Sequence, residues 1–246
     1  MPKFWVQRQV WIIGASSGIG RALAVYLDSA GAQLVLSARR ETALQELNAE
    51  LGNRHQILVL DVTSDTQLEK ACQATLPHCD SVIFMAGTYE PMPLDKQQPE
   101  AVRQIIATNL TAAVQFVGFA YPLFKAARRG QLALCASIAG YCGLPQAQPY
   151  GATKAGIINL AESLRAEAAG TQVDIRLINP GFVTTPMTGK NTFAMPMIIS
   201  PPQAAEAIAQ GLAGSAFEIH FPKRFTYVVK FLGHLPYWLY FRLVRS

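Results

Sequence analysis

The sequence predicts a single α/β domain built on one doubly wound parallel sheet of about seven strands. Three observations carry this prediction. Short apolar runs alternate with helical patterns along the chain, the signature of parallel strands joined by crossover helices. The first run passes directly into a glycine-rich turn and then a helix. With 246 residues, half of them hydrophobic, the chain can bury a full core as one unit. No internal repeat, low-complexity segment or linker divides it.

The first strand is predicted over 10–13. It feeds into Gly14-Ala15-Ser16-Ser17-Gly18-Ile19-Gly20, and a helix follows to about Ala30-Gly31. Glycines let the backbone approach a pyrophosphate, and a helix N-terminus offers free N–H groups and the positive end of its dipole. Strand, glycine turn and helix together are the context of a dinucleotide site. A turn needing glycine for its angles alone leaves that flanking context unexplained. The second strand, 33–37, ends in Ala38-Arg39-Arg40. An acid at this point binds the ribose 2′-hydroxyl of NAD, whereas arginine accommodates the 2′-phosphate of NADP. Two arginines stand where the acid would be, placed for a bidentate phosphate contact. NADP is therefore expected over NAD, with Arg39 the stronger of the two candidates.

A helix over 42–51 precedes a strand over 56–60, which ends at Asp61-Val62. A helix over 66–76, a strand over 81–85 leading to Ala86-Gly87, and a long helix over 99–125 containing Asn109 come next. The strand over 132–137 ends at Ser137, setting its hydroxyl at the carboxyl end of the sheet, where ligands of such folds bind. Tyr150 opens a helix reaching to about 169, with Lys154 one turn on along the same face. A phenol, with an ordinary pKa of about 10, is a poor acid at neutral pH. A neighbouring ammonium draws that value toward the working range, where a proton donor acts best. Taken alone, the pair reads equally as two side chains sharing an exposed helix face. A strand over 173–178 leads to the turn signal Asn179-Pro180-Gly181, and a helix over 201–212 and a strand over 218–221 complete the fold.

In register, these segments resemble the classical short-chain dehydrogenase/reductase family over residues 1–222. Gly14-x-x-x-Gly18-Ile19-Gly20, with Ser16 and Ser17 inside it, matches the family's cofactor loop; Asp61-Val62 matches its adenine-side acid, and Ala86-Gly87 the end of its fourth strand. Pro180-Gly181-Phe182-Val183-Thr184-Thr185-Pro186-Met187 resembles its segment beside the nicotinamide, which adds Pro180, Gly181, Val183 and Thr185 to the cofactor-binding candidates. Asn109, Ser137, Tyr150 and Lys154 fall at its catalytic positions. The resemblance implies a Rossmann-like fold and hydride transfer between a nicotinamide cofactor and a carbonyl or alcohol. It makes Tyr150 the proton exchanger and has Lys154 lower its pKa while holding the nicotinamide ribose. Ser137 positions the carbonyl and Asn109 keeps a water in a proton relay; Asn109, Tyr150 and Lys154 thus also serve cofactor binding. A homo-oligomer is expected by the same analogy. Two positions depart from the family pattern. Ile13 stands where it usually has Thr, and Phe84-Met85 where it usually has Asn-Asn, so an apolar contact is expected in place of a polar latch between neighbouring strands.

Ile138, Tyr141, Leu144, Phe193, Met195 and Met197 are candidates to line a substrate cleft closed by the loop 184–200. They favour an apolar, lipid-like carbonyl substrate. Small soluble carbonyls, or a dinucleotide-binding regulator without turnover, are the alternatives; the intact Asn109, Ser137, Tyr150 and Lys154 argue against the regulator. Cys72, Cys79, Cys135 and Cys142 form no C-x-x-C pair and no metal site is expected. Cys72 and Cys135 lie on apolar stretches, which fits buried thiols in a reducing compartment. No signal peptide is expected before the first strand, nor an eighteen-residue stretch apolar enough to span a bilayer, so the setting is predicted to be cytoplasmic.

The net charge of +5 is unevenly placed. Residues 1–222 carry 16 basic and 16 acidic side chains. Residues 223–246 carry Lys223, Arg224, Lys230, Arg242 and Arg245 and no acid. A nucleic-acid partner is not expected, since its footprint would spread over a folded face. Instead the tail interleaves those charges with Phe225, Tyr227, Phe231, Tyr237, Trp238, Tyr240 and Phe241, and Pro236 should split it into two short helices. Such faces suit the surface of an anionic membrane, at its inner, cytoplasmic side; covering the cleft or packing on a second subunit is the alternative.

Overall fold

The computed structural model describes residues 3–244. The tail charge of Arg245 lies outside the described residues. The apolar runs become strands β1 (Gln9–Ile13), β2 (Gln33–Ala38), β3 (Gln56–Val59), β4 (Ser81–Phe84), β5 (Gln131–Cys135), β6 (Asp174–Pro180) and β7 (Glu218–Phe221). All pair in parallel, in the order β3-β2-β1-β4-β5-β6-β7. The order reverses between β1 and β4, creating the switch point at which such sheets bind ligands beyond their carboxyl ends.

Helices cover both faces: α1 (Gly18–Ser29), α2 (Glu41–Glu50), α3 (Asp65–Thr75), α4 (Pro99–Ile106), α5 (Ala112–Ala127), α6 (Tyr150–Glu167) and α7 (Pro201–Ala213), followed by α8 (Lys223–Gly233) and α9 (Tyr237–Leu243). Alternate residues of each strand feed opposite cores. Val10, Ile12, Leu34 and Leu36 pack against Leu23, Leu27, Leu44, Leu47 and Ile208 of α1, α2 and α7. Trp11, Val82, Phe84 and Leu132 pack against Leu68, Phe116, Ile157 and Leu164 of α3, α5 and α6. The buried Trp11 indole donates to Ser37 Oγ at 2.8 Å, which satisfies its polar edge. Local signals set the helix starts: Ser64 caps α3, and Ser200 forms a reciprocal capping box with Gln203 ahead of Pro201 in α7.

Ile13 is fully buried in the same core as Phe84, and Met85 packs partly buried into the opposite core. Apolar packing thus occupies this strand crossing, and the Met85 amide donates to the Ile13 carbonyl at 2.8 Å. The helix predicted over 99–125 is interrupted: a π-helical turn, Ala107–Thr111, joins α4 to α5. The whole rod, Pro99–Ala127, has a window of mean hydropathy 1.2 and is long and apolar enough to cross a membrane by composition. This corrects the expectation that no such stretch exists. Its apolarity has a local cause, since Ala112, Ala113, Phe116 and Ala120 are fully buried beneath the sheet. Two strand ends differ from expectation by two residues. β5 stops at Cys135, leaving Ser137 in the next turn, and β6 keeps Asn179 and Pro180, predicted as a turn, because they pair with His220 and Phe221 of β7. The four cysteines are unpaired, and burial pushes the Cys72 and Cys79 thiols up to about 12.

The tail folds as two helices parted by Pro236. The inner face of α8 rests on a polar cluster. Glu218 accepts from the Tyr141 hydroxyl, from Asn179 Nδ2 at 2.7 Å, and from Lys230. Burial raises the Glu218 carboxyl, but these three donors outweigh it and hold it below its ordinary value. Beside it, His220 Nδ1 lies 2.5 Å from Thr226 Oγ1 of α8. Burial first, and then the charges of Lys230 and Lys223, lower His220 from 6.5 to about 4. The unfolded chain takes up a proton near pH 6.5 that the folded chain refuses until about pH 4, so stability falls as pH drops through that window. Thermal melts between pH 7.5 and 4.5 should show this fall, and His220→Gln should flatten it. An unchanged slope in the variant would place the titration elsewhere.

Candidate active site

The glycine turn sits where β1 ends. Gly14 has φ +102°, and a Cβ there would stand 2.8 Å from the Ala86 amide; only glycine permits this approach to the end of β4. A Cβ on Gly20 would overlap the Gly14 carbonyl oxygen, so α1 tucks against the turn only without a side chain. Ser17, the residue before α1, caps none of its amides with its side chain. The first-turn N–H groups are therefore left for an anion.

A cleft of about 580 Å³ runs along these carboxyl ends. Gly14, Ser16, Ser17, Gly18, Ile19 and Gly20 line one part of it, Arg39, Arg40 and Val62 the next. Ala86 and Gly87 form its floor beside Ser137, Tyr150 and Lys154, and Pro180, Gly181, Val183 and Thr185 form the wall beyond. Arg40 reaches Ser16 Oγ at 3.4 Å, bringing the two arginines and the glycine turn to one end of the cleft.

Two predicted residues stand behind that wall rather than on it. Asp61 turns its carboxylate to the amide and hydroxyl of Thr63, at 3.0 and 2.7 Å. Partial burial raises its pKa, but these bonds and the charge of Arg39 bring it below its ordinary value. The cleft surface there is Leu60 and Val62. Asn109 lies in the π-helical turn, 1% exposed. Its Oδ1 accepts from the Thr88 amide at 2.7 Å and its Nδ2 donates to the Thr88 carbonyl at 2.8 Å. The carboxamide thus knots α4–α5 to the segment after β4, and its neighbour Thr108 lines the cleft instead. π-helical turns commonly serve to place such a side chain.

Tyr150 is the first residue of α6 and Lys154 follows one turn later. Lys154 is buried, its Nζ donating to the Cys135 carbonyl at 2.9 Å and lying 5.5 Å from the Tyr150 ring centre. Burial lowers the lysine's own pKa. Burial also pushes the Tyr150 phenol above its ordinary value, the nearby Cys135 adds to this, and a hydrogen bond with Ser137 offsets it only in part. The expected lowering of the phenol by Lys154 is thus reversed in the protein alone: loss of water outweighs an ammonium already engaged with a carbonyl. Ser137 Oγ accepts from the Ala139 amide at 3.2 Å.

A second, mostly apolar cavity of about 280 Å³ adjoins the cleft, and the two share Ser137, Tyr150, Gly181, Met187 and Thr188. Of the predicted lining residues, Ile138, Leu144 and Phe193 lie on it. Tyr141 points instead to Glu218, the Met195 sulfur accepts from Asn191, and Met197 is exposed. Tyr89, Phe182, Met187 and Asn191 line it without having been anticipated as lining residues. Phe182 and Met187 belong to the recognised 180–187 segment, and Tyr89 follows Ala86-Gly87 by two residues, so proximity to those motifs was the available signal. Tyr89 sets its ring edge 5.1 Å from Tyr150 and donates to Asn191 Oδ1 at 2.8 Å. Lys190 pairs with Glu90 at 2.5 Å. Among the described residues, no group of three His, Cys, Asp or Glu gathers as a metal site.

Sheet order, switch point and glycine turn place the molecule in the class of nucleotide-binding parallel-sheet proteins. Comparison shows the family: the short chain dehydrogenase model matches residues 8–195, and the chain belongs to that family. It is 34% identical over 235 residues to an uncharacterized oxidoreductase of Myxococcus xanthus, covering 93% of each chain. It is 30% identical over 214 residues to the 3-oxoacyl-(acyl-carrier-protein) reductase of Escherichia coli, covering 85% of this chain and 84% of the relative. A short chain dehydrogenase of Burkholderia cenocepacia, solved in complex with NADP, superposes with a TM-score of 0.87 at 24% identity over 98% of this chain and 99% of its own. The chain is accordingly an NAD(P)-dependent oxidoreductase of the short-chain dehydrogenase/reductase type.

Proposed function

We propose that this protein is an NADPH-dependent reductase of a carbonyl group on a hydrophobic, lipid-like molecule. The observation that carries this reading is the position of Tyr150 and Ser137 at the junction of the long cleft and the apolar cavity. The cleft suits a dinucleotide: its volume is in the usual range for cofactor sites, it ends on an uncapped helix N-terminus, and Arg39 and Arg40 line it as candidates for a 2′-phosphate. NADPH, when bound, supplies the hydride.

The chain's own residues do the rest. The glycine turn and α1 would hold the pyrophosphate, and Arg39 and Arg40 would hold the 2′-phosphate. Lys154, on the cleft beside Gly87, would hold the ribose. Ser137 orients the substrate carbonyl by hydrogen bonding, and Tyr150, held neutral by burial, donates its phenolic proton to the carbonyl oxygen. Ile138, Leu144, Phe182 and Phe193 receive the apolar part of the substrate and exclude water. The 3-oxoacyl reductase activity named for the Escherichia coli relative is also carbonyl reduction on an acyl chain. The enzyme works in the cytoplasm as a homo-oligomer on the family analogy. A carbonyl panel with both cofactors tests the reading: turnover should rise with the apolar bulk of the ketone or aldehyde, and activity confined to small soluble carbonyls would overturn the substrate class.

Arg39→Ala should weaken NADPH binding about tenfold to a hundredfold, the worth of a charge-assisted hydrogen bond, with little change for NADH. Calorimetric titration of both cofactors checks this. Equal weakening of the two would show that Arg39 does not read the phosphate.

A further inference from the structure

We propose that the outer face of α8 and α9 is a docking surface for an anionic lipid bilayer. The tail has two unlike sides. Inward, Thr226, Val229 and Tyr240 are buried, and Lys230 is neutralised by Glu218. Both helices lean on residues 141–143: Lys230 lies over the Tyr141 ring at 5.2 Å, and the Tyr240 hydroxyl donates to the Gly143 carbonyl.

Outward, the two helices repeat one pattern. Tyr227, Val228 and Phe231 of α8, and Tyr237, Trp238 and Phe241 of α9, stand at i, i+1 and i+4, which is one helical face. All six are 55–78% exposed on the folded chain. The chain's own packing therefore does not cover them, and contiguous exposed apolar surface marks an interaction site.

Charge decides the occupant. Lys223, Arg224 and Arg242 are exposed beside these side chains, and no acid occurs anywhere in 223–246. A two-fold contact between copies through this face would set like charges against each other. Acidic headgroups complement the charges, tryptophan and tyrosine rings favour the headgroup level, and lysine and arginine stems reach past apolar contact into water. Docking also faces the reaction toward the membrane. Gly143 leads into Leu144 on the apolar cavity, and Phe225 of α8 packs 5.5 Å from Phe182 on its opposite part.

The surface is tested independently of the substrate assignment, with vesicles of phosphatidylcholine alone and of phosphatidylcholine mixed with phosphatidylglycerol. Trp5 and Trp11 are fully buried and Trp238 is 71% exposed, so a change in tryptophan emission on vesicle addition reports Trp238. The full chain should sediment with the anionic vesicles alone, its emission should shift to the blue, and salt should reverse both. Arg224→Ala with Arg242→Ala should lower the vesicle partition roughly thirtyfold, since each basic residue near an anionic surface contributes about fivefold. Phe231→Ala with Trp238→Ala should abolish it. NADPH binding, measured in parallel, should be unchanged in these variants and vouches for their fold. A folded intact chain that stays in the supernatant at low salt overturns the proposal. So does equal binding to both vesicle types, or a dimer that Phe231→Ala dissociates without any vesicle binding.

Discussion

Replacing Tyr150 by Phe should lower the reductive rate about 10²- to 10⁴-fold, the usual contribution of a positioned proton donor, while leaving NADPH binding in place. The ring stays, keeping its contact with Tyr89, and the cleft end formed by the glycine turn and the arginines is untouched. Only the hydroxyl is lost. With the neutral phenol as the proposed donor, and burial favouring that form, the wild-type reductive rate should decline toward alkaline rather than acid pH. Single-turnover rates across pH, with cofactor affinity measured on the same samples, check both statements. Near-normal turnover in the variant would remove Tyr150 from the reaction.

Substituting Gly20 by Ala is the second change of large effect. Its Cβ would overlap the Gly14 carbonyl oxygen, and neither backbone can yield without moving α1 away from the turn. Overpacking of this kind costs about 1–3 kcal/mol, and the displaced helix N-terminus no longer points its free amides at the cleft. Dinucleotide affinity should fall at least about tenfold, for NADPH and NADH alike, with the melting temperature lowered too. A variant that binds both as tightly as the wild type would show that the turn is not the phosphate site. The equal loss separates this change from Arg39→Ala, which should spare NADH.

The scaffold was legible in the sequence because its rules are local. Apolar runs of four to seven residues, broken by glycine turns and helix caps, mark seven parallel strands, and each lies within two residues of its predicted ends. What was hidden depends on distant partners. Nothing in the residues around Asn109 signals a π-helical turn, and the carboxamide it carries bonds to the Thr88 backbone, distant in sequence. Asp61 had the right position, but the nearby Thr63 captured its carboxylate. The tyrosine–lysine pair was visible by spacing, yet the sign of the phenol's shift was not. Spacing reports charges, whereas desolvation belongs to the folded whole. Tyr89 and Asn191 meet over 102 residues of chain, a separation no local pattern spans.

That meeting has a consequence for how tolerant the enzyme is of its substrates. The segments carrying Tyr89-Glu90 and Lys190-Asn191 are joined by two hydrogen bonds, from the Tyr89 hydroxyl to Asn191 Oδ1 at 2.8 Å and from Lys190 Nζ to the Tyr89 carbonyl at 3.2 Å, and by one solvent-exposed ion pair. Each hydrogen bond is worth about 0.5–1.5 kcal/mol and the ion pair about 0–1 kcal/mol. Parting these contacts therefore costs about 1–4 kcal/mol in all. A molecule too large for the joined arrangement should meet that cost as a loss of affinity, without disturbing the sheet. The contacts between these two surface segments should therefore bear on the size of substrate the site admits, alongside the resting volume of the cavity.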